Sequence, residues 1–509
     1  MAEKYDHKAI EKKWQDKWEK DGTFSAEENS DKPKQYILDM FPYPSGDGLH
    51  VGHVEGYTAT DIYSRYKRMR GFNVLHPMGW DAFGLPAENY AIKTGVPPQE
   101  TTDKSINNFR KQIKALGLSY DWSREVDTHN PDYYRWTQWL FAKFFEKGLV
   151  YKKKALVNWD PVDQTVLANE QVLPDGTAER SGVKVEKRDL EQWFFKITDY
   201  ADELADSLDQ VDWPESTKTN QRNWIGKSEG AQIKFPISNS QFSIEVFTTR
   251  PDTLFGATYL VLAPEHPLLQ EVASNKLQVS NKEEVLKYVN GAKSKSDIDR
   301  SAEGKEKTGV ELKGVKAINP ANQEEIPVWV ADYVLGHYGT GAIMAVPAHD
   351  ERDREFAEKF GLPIREIELE DPKEITKRVG GTWTKKYRLR DWLISRQRYW
   401  GAPIPIVYDP EGKPHAVPEE HLPWMLPTDV EFKPTGTSPL GQSKELAERT
   451  EALFGKGWKP EADTMDTFAC SSWYFFRFAD PKNDKEFASP VAMQKWLPVD
   501  LYVGGAEHT

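Results

Sequence analysis

Apolar and polar positions predict a clear succession of elements between residues 36 and 88. Tyr36 to Met40 is a short apolar run, typical of a buried strand. Prolines and glycines interrupt the chain from Pro42 to Gly48, and Val51 to Arg70 then has the pattern of a long helix. Asn73 to His76 predicts a second strand, which a turn and a further helix follow. The pattern therefore indicates an α/β unit with parallel strands.

His50 and His53 fall where the first turn meets its helix. A helix N-terminus has unpaired N–H groups and the positive end of the helix dipole, so it favours an anion. Two imidazoles three residues apart share one face and can donate to the same phosphate. A single histidine at such a place is usually a cap or a surface residue, so position alone leaves both interpretations open.

Downstream patterns divide the chain further. Residues 4–20 predict an amphipathic helix, and residues 96–150 predict aromatic helices. A turn-rich stretch follows, and residues 190–225 return to a helical pattern. From residue 226 to 385, short β-rich runs alternate with turns, which predicts an inserted, mostly β domain. The expected domains are two catalytic segments at 1–152 and 386–509, a turn-rich module at 153–189, a return segment at 190–225 and the insert at 226–385.

Composition limits the classes of function. The 509 residues carry a net charge of −13, so a nucleic-acid partner would need a local basic patch. Such a patch is expected where the second catalytic segment begins, from Arg388, Arg390, Arg396 and Arg398. Pairing of these arginines with nearby acids is the alternative. Cys470 is the only cysteine, which excludes a disulfide framework and a thiolate metal site.

The mean hydropathy of −0.70 and the lack of a long apolar run predict a soluble protein that does not enter a membrane. The sequence carries no signal-peptide pattern, so we expect a cytoplasmic location.

Two motifs resemble a known family. PYPSGDGLHVGH is similar to the His-Ile-Gly-His signature of class I aminoacyl-tRNA synthetases, and HPMGWDAFGLPAE is similar to their leucyl branch. RDWLISRQRYWG and DTFACSSWYFF resemble later segments of the same catalytic domain. The resemblance implies a Rossmann-like catalytic domain with an inserted editing domain. It also implies a leucine-tRNA ligase that uses ATP with Mg²⁺, leucine and leucine tRNA.

The resemblance assigns roles in activation to individual residues. His50 and His53 would stabilise the phosphates of ATP, with Pro42, Tyr43 and Gly52 also contacting the nucleotide. Asp81 would hold the α-ammonium group of leucine. The other residues expected at the leucine pocket are Met40, Phe41, Tyr43, Phe468, Ser471, Tyr474, Glu507 and His508.

Two stretches of the insert resemble the editing site of leucyl-tRNA synthetases. A pocket for leucine separates aliphatic side chains that differ by one methylene by only about 1 to 3 kcal/mol, so a second hydrolytic site is needed. The implied residues are Thr248, Thr249, Arg250, Thr253, Asp350 and Asp353. Thr248 and Thr249 would bind the ester or the terminal adenosine, Asp353 would pair with the free ammonium, and Thr253 would exclude leucine by its bulk.

The turn-rich module is often a zinc ribbon in relatives. Here Asp160 and Asp163 stand where a cysteine pair would be expected, with no thiolate or histidine nearby, so we predict no zinc. Elemental analysis that finds one tightly held zinc per chain would overturn this prediction. The short connection at residues 373–386 makes the closure of the editing domain an open question.

The resemblance also predicts segments that this sequence does not contain. The Lys-Met-Ser-Lys-Ser loop and the anticodon-binding domain are expected after Thr509, and Lys293 to Ser296 match that loop only by coincidence. We therefore expect an incomplete reading frame, monomeric when completed, or one half of a split enzyme paired with a second chain. Either form would be inactive alone if it needs that loop. A synthetase for isoleucine or valine, or a tRNA-binding or deacylating subunit that does not activate amino acids, are the alternatives.

Overall fold

The computed structural model describes residues 5–45, 48–167, 171–173, 175–293, 300, 307–336, 339–433 and 436–505. The chain forms two compact units. The first comprises residues 1–171, 178–196 and 392–509, and the second comprises residues 172–177 and 197–391. The boundaries of the five segments expected from the sequence stay predictions.

Helices and strands alternate through both units. The helices are α1 His7–Asp21, α2 Val51–Met69, α3 Leu85–Thr94, α4 Pro98–Ala115, α5 Pro131–Glu146, α6 Ala201–Ser207, α7 Glu215–Ile225, α8 Leu268–Ala273, α9 Lys282–Lys293, α10 Glu351–Phe360, α11 Pro372–Arg378, α12 Lys444–Phe454, α13 Thr467–Ser471, α14 Tyr474–Ala479 and α15 Pro490–Trp496. The strands are β1 Lys34–Asp39, β2 Asn73–Leu75, β3 Pro77–Trp80, β4 Asp121–Asp127, β5 Val150–Asp160, β6 Thr165–Leu167, β7 Glu186–Phe195, β8 Ser228–Pro236, β9 Ser243–Thr248, β10 Tyr259–Leu262, β11 Gly309–Ile318, β12 Glu325–Ala331, β13 Ala342–Ala345, β14 Thr382–Lys386, β15 Trp392–Leu393, β16 Ser395–Arg396, β17 Ile406–Tyr408, β18 Pro414–Ala416, β19 Lys459–Pro460, β20 Thr464–Met465 and β21 Leu501–Val503.

A parallel sheet in the order β2, β1, β21 organises the first unit. The chain leaves β1, forms α2 and returns through β2, which is the expected α/β arrangement. The central strand β1 is buried because Tyr36, Ile37 and Leu38 lose almost all of their solvent-exposed surface. The sequence-based prediction of β1, α2 and β2 is confirmed to within one or two residues at each end.

The first unit contains two strands that the helical pattern did not predict. β4 lies inside residues 96–150 and pairs in parallel with β3, after Gly117 adopts φ 73° and ends the preceding helical region. β7 covers residues 190–195 and pairs antiparallel with β5 from Val150↔Phe195 to Trp159↔Glu186. The prediction of helix there was wrong, because strand partners distant in sequence decide both segments.

The second unit is built on two sheets, ordered β11, β12, β10, β13 and β14, β8, β9. The β-rich runs predicted in the insert are confirmed as strands. Their buried faces share one core that includes Ile233, Leu260, Val328 and Met344, and α10 packs on the other face of β10 through Phe356. Sheets with helices on a face can bury enough apolar surface to be compact by themselves. Among the described residues, no helix is both long and apolar enough to span a bilayer.

Candidate functional site

The histidine pair lies at the start of α2, as the sequence predicts. His50 is the N-cap residue of α2, and its backbone N–H donates to Nδ1 of His53 across 3.2 Å. The two imidazoles stack with centroids 3.7 Å apart. A side chain at Gly52 would place Cβ 3.1 Å from the ring of His50, so glycine leaves room for this ring.

The geometry determines the protonation of His53. Because Nδ1 accepts a hydrogen bond, the proton of the neutral ring resides on Nε2, which is therefore a donor. Burial and the neighbouring His50 lower the pKa of His53 to about 4. His53 is thus a neutral hydrogen-bond donor at physiological pH, beside the N–H groups of a helix N-terminus.

Asp81 follows β3 and is 4% exposed. Its backbone N–H donates to the carbonyl of Pro42 across 3.1 Å, which brings the two motifs together. Burial raises the pKa of Asp81 to about 8, although a hydrogen bond from Ser471 opposes the shift. Oδ1 of Asp81 has no hydrogen-bond partner in the described part of the chain. A buried acceptor without a donor is suited to a ligand that supplies one, such as an ammonium group.

Aromatic rings form the apolar wall beside these residues. Phe41 and Tyr474 stack with centroids 4.2 Å apart and an interplanar angle of 7°. Met40 lies against the last strand, because a Cβ on Gly504 would be 2.5 Å from its sulfur. Tyr502 in β21 hydrogen-bonds to Tyr474 and is not among the pocket residues expected from the sequence. Its alternation within the strand Leu501–Val503 was the available signal.

A cleft of about 450 Å³, including its open mouth, lies next to Tyr43. Phe468, expected at the leucine pocket, lines this cleft together with Trp400, Asp466 and Arg180. The guanidinium of Arg180 stands 5.9 Å from the centre of the Tyr43 ring. The cleft therefore offers aromatic surfaces and a cation, which is a combination suited to a nucleotide.

The expected basic patch is divided between the two units. Arg396 and Arg398 lie in the first unit, are buried, and form ion pairs with Asp466 and Glu88. Arg388 and Arg390 belong to the second unit and are exposed. The alternative of pairing with acids therefore holds for the two buried arginines, although their partners are not the acids nearest in sequence.

His129 supports the loop that carries Asp81. Its Nδ1 lies 2.5 Å from Asp127 and its Nε2 3.1 Å from Asp103. Burial alone would lower its pKa, but the two carboxylates outweigh burial and raise the pKa to about 9. The neighbouring Thr128 hydroxyl accepts the N–H of Ala82 and hydrogen-bonds to Asp81. A charged imidazole thus helps to hold the segment on which Asp81 is built.

The threonine stretch of the second unit forms a compact turn. The Thr248 hydroxyl accepts the N–H of Arg250, and the Thr253 hydroxyl donates to the carbonyl of Arg250 across 2.7 Å. Thr248 and Thr249 are accessible, whereas Thr253 is fully buried. Arg250 forms an ion pair with Asp252. The turn brings together all four residues expected from this stretch.

The acidic stretch begins α10. Asp350 is the N-cap residue and accepts the N–H groups of Arg352 and Asp353. Asp353 is 5% exposed and accepts the N–H of Val346 through Oδ2. Burial, with a smaller contribution from the charge of Asp350, raises the pKa of Asp353 to about 7. The helix cap that residue type predicts is therefore present. Asp350 makes this cap, and the carboxyl of Asp353 takes no part in it.

The acidic and threonine stretches are neighbours in the second unit. The N–H of Thr258 donates to the carbonyl of Ala345 across 3.1 Å. A Cβ on Gly339 would contact Cβ of Phe247 at 3.5 Å. The segments before Asp350 and around Thr248 therefore adjoin each other.

Asp160 and Asp163 organise a turn in the turn-rich module at residues 153–189. Oδ1 of Asp160 accepts the N–H groups of Val162 and Asp163, and Oδ2 accepts the Ser181 hydroxyl across 2.6 Å. Asp163 accepts a hydrogen bond from Asn89. No group of three or more potential metal ligands occurs among the residues that the structure describes. The prediction of no zinc stays a prediction.

Five residues named in the sequence-based predictions lie outside the described residues. They are Glu507 and His508, expected at the leucine pocket, and Ser294, Lys295 and Ser296 of the coincidental loop match. Their roles stay predictions.

The parallel sheet, the histidine pair at its helix N-terminus and the buried carboxylate beyond the next strands define a class of protein. Residues 13–233 and 371–509 match the family model "tRNA synthetases class I (I, L, M and V)". The chain belongs to that family. In addition, residues 222–397 of the chain match the model "Leucyl-tRNA synthetase, editing domain". The resemblance to the leucyl branch is confirmed.

One solved structure agrees with these matches. This chain is similar to Agrobacterium radiobacter K84 agnB2 LeuRS, whose structure was solved in a ternary complex with tRNA and LeuAMS. The two chains are 41% identical and superpose with a TM-score of 0.87. The match covers 99% of this chain and 64% of that one, so the chain spans about two thirds of the length of this relative. Mycobacterium tuberculosis methionyl-tRNA synthetase in complex with methionyl-adenylate is 24% identical, covers 37% of this chain and 38% of that one, and has a TM-score of 0.33, which is too low to support an argument.

Proposed function

We propose that this chain activates leucine with ATP, transfers it to the 3′ end of leucine tRNA, and hydrolyses mischarged tRNA at a separate editing site. The observation that carries the proposal is Asp81, a buried carboxyl with a free oxygen beside an aromatic wall. Such a group binds an ammonium ion strongly because few water molecules compete with it. The chain belongs to the class I synthetase family and also matches the leucyl editing domain, which supports leucine as the amino acid.

Activation needs positioning more than a protein nucleophile. The carboxylate oxygen of leucine attacks the α-phosphorus of ATP, the new P–O bond forms, and the bond to pyrophosphate breaks. The neutral His53 would donate from Nε2 to a phosphate oxygen, and the N–H groups of α2 would add a fixed positive field. Asp81 would hold the α-ammonium, while Phe41 and Tyr474 bound the side chain.

Magnesium enters this proposal only as the companion of ATP. Mg²⁺ in nucleotide sites is usually held by substrate phosphates with one or two carboxylates, and it neutralises phosphate charge when bound. The described residues do not include a group of three potential ligands, which fits an ion carried by the nucleotide. We assign no step to it.

Editing would take place in the second unit. A water molecule would attack the ester carbonyl of a mischarged tRNA, and the terminal ribose hydroxyl would leave. Asp353 would bind the free α-ammonium, and Thr248 and Thr249 would contact the terminal adenosine. The buried carboxyl of Asp353 supports this role. Among the described residues, its one backbone hydrogen-bond donor is the N–H of Val346.

Amino-acid-dependent pyrophosphate exchange tests the proposal. Leucine should support exchange, and valine should support it at least tenfold less well at equal concentration, because the missing methylene is worth about 1 to 3 kcal/mol. Isoleucine has the same number of carbon atoms as leucine but branches at Cβ, so its shape should make it the poorer substrate as well. Preference for isoleucine or valine would assign the chain to a sibling specificity instead. Asp81→Asn is the control variant. It keeps the size of the side chain and removes the charge that would hold the α-ammonium of leucine.

A non-activating subunit is the second candidate. The editing residues all lie in one compact unit, so deacylation does not require an intact activation site. A chain that hydrolyses mischarged leucine tRNA and performs no leucine-dependent exchange would have this function. In either case we propose a cytoplasmic protein that binds leucine tRNA.

A further inference from the structure

We propose that Asp39 is a positioning residue that sets the start of α2 against the end of β1. Asp39 is the last residue of β1 and is 4% exposed. Three donors converge on its Oδ2: the Thr60 hydroxyl at 2.9 Å, the Tyr120 hydroxyl at 2.6 Å and Nε2 of His76 at 3.0 Å. This inference rests on the proposed function, because it concerns the placement of the histidine pair in the activation site.

The three donors come from different parts of the fold. Thr60 lies in the middle of α2, His76 follows β2, and Tyr120 immediately precedes β4. One carboxylate therefore ties the central strand to the helix that His50 caps, to the residue after β2 and to the residue before β4. The Tyr57 hydroxyl also donates from α2 to the carbonyl of Met40 across 3.3 Å, which joins the same two elements.

The network is shielded from water. His76 is completely buried, and its Nδ1 has no hydrogen-bond partner within the described residues. Thr60, Tyr120 and Asp39 are buried as well. Because little water can replace a lost donor there, the loss of a single donor removes a large part of the stabilisation of Asp39.

The link between Asp39 and Thr60 bears directly on the histidine pair. Thr60 lies two helical turns beyond His53 on α2, so a shift of the helix along β1 moves the imidazole by a similar distance. Asp81 comes from the segment after β3 and keeps its own support from Thr128. Weakening the Asp39–Thr60 bond should therefore impair phosphate stabilisation and leave the leucine contact in place.

Three variants of α2 test this. Thr60→Val keeps the shape and removes the hydroxyl, whereas Thr60→Ser keeps the hydroxyl. Thr58→Val is the matched control, because Thr58 is exposed and its hydroxyl bonds only within the helix, to the carbonyl of Val54 at 2.6 Å. In leucine-dependent pyrophosphate exchange, we expect kcat of Thr60→Val to fall about tenfold, since misplacements of about 1 Å cost up to about 100-fold. The KM for leucine should change less than twofold, and the other two variants should behave as wild type.

A double-mutant cycle adds an independent readout. Asp39→Asn combined with Thr60→Val should lower kcat no further than the larger single effect, because both variants weaken the same Asp39–Thr60 bond. Wild-type kcat in Thr60→Val, an equal loss in Thr60→Ser, or a parallel rise of the KM for leucine would overturn the proposal. Thr60→Val remains informative if Asp39→Asn does not fold.

Failure of the proposed function is recognisable separately. If the wild-type chain performs no exchange, hydrogen exchange of the backbone amides of His53 and Val54 replaces the kinetic readout. Faster exchange there in Thr60→Val than in Thr58→Val supports the positioning role of Asp39. Equal exchange in the two variants overturns it.

Discussion

The backbone N–H of His50 donates to Nδ1 of His53, and the two imidazoles stack 3.7 Å apart. This contact orients Nε2 of His53 as a donor before any ligand binds. Because burial lowers the pKa of His53 to about 4, the ring stays neutral across the physiological range. Preorganised donors of this kind stabilise developing charge without rearrangement.

Replacing His53 by Asn should separate its two roles. The Asn oxygen can still accept the N–H of His50, but no donor remains at the position of Nε2. We expect kcat of leucine-dependent exchange to fall on the order of 100-fold, with leucine affinity unchanged. Above pH 5 the wild-type rate should show no step assignable to His53. A step near pH 6.5 that disappears in the variant would contradict the assigned protonation state.

Asp81 should make leucine binding depend on pH. Burial raises the pKa of Asp81 to about 8, so the free protein carries mostly the protonated acid at pH 7. The ammonium of leucine requires the carboxylate, so affinity should rise nearly tenfold per pH unit below about pH 8 and then level off. Calorimetry in two buffers of different ionisation enthalpy will detect the released proton. Ser471→Ala should shift the plateau to higher pH, and affinity independent of pH would refute the assignment.

Thr253 should keep leucine out of the editing site. It is fully buried, and its hydroxyl donates to Arg250. Thr253→Ala should hydrolyse correctly charged leucyl-tRNA, because space for the larger side chain becomes available. Thr253→Val removes the hydroxyl and keeps the bulk, so it should spare leucyl-tRNA. Unchanged deacylation of leucyl-tRNA by the Ala variant would count against the steric role.

Asp353 should impose a pH dependence on editing. Burial raises the pKa of Asp353 to about 7, and only the ionised form can pair with an ammonium. Hydrolysis of mischarged tRNA should therefore increase as pH rises through 7 and reach a plateau about one pH unit higher. Asp353→Asn should be slow and lack this step. The uncatalysed reaction, which also accelerates with pH, must be measured alongside and subtracted.

His129 should stabilise the first unit in a pH-dependent manner. Its pKa is about 9 in the folded chain, against about 6.5 when unfolded, because Asp103 and Asp127 outweigh the effect of burial. A raised pKa stabilises the fold fully below pH 6.5, and the contribution disappears as pH rises through 9. We expect His129→Gln to lower the free energy of unfolding by on the order of 3 kcal/mol at pH 6.

Urea denaturation followed by Trp fluorescence, at pH 6 and pH 9.5, measures this difference. The difference in the free energy of unfolding between wild type and His129→Gln should decrease markedly at the higher pH. A gap that stays constant would show that His129 contributes through packing alone. His415→Gln is a suitable control, because that histidine contacts only the single carboxylate of Asp409 among the described acids.

Local patterns predicted the central elements correctly. β1 and α2 follow from an apolar run, a block of prolines and glycines, and a helical period, all of which are properties of neighbouring residues. The strands of the insert were recognisable for the same reason. β4 and β7 were not, because about half of the residues in each segment are charged and their pairing partners lie elsewhere in the chain.

The candidate site shows the same division. Contiguous motifs carry His50, His53, Asp81 and the candidate editing residues, whose roles stay predictions, and the class of protein followed from these motifs. The sequence alone could not show that Tyr502 hydrogen-bonds to Tyr474, because these residues belong to different elements.

The sequence by itself therefore determined the family, the elements from β1 to β2, the strands of the insert and the chemical groups available. Only the tertiary structure decided the state of those groups: which nitrogen of His53 holds a proton, how far burial raises the pKa of Asp81, and that Thr60, His76 and Tyr120 meet at Asp39. The physical reason is that protonation and hydrogen bonding depend on what surrounds a group in space. Most of those neighbours are distant in sequence.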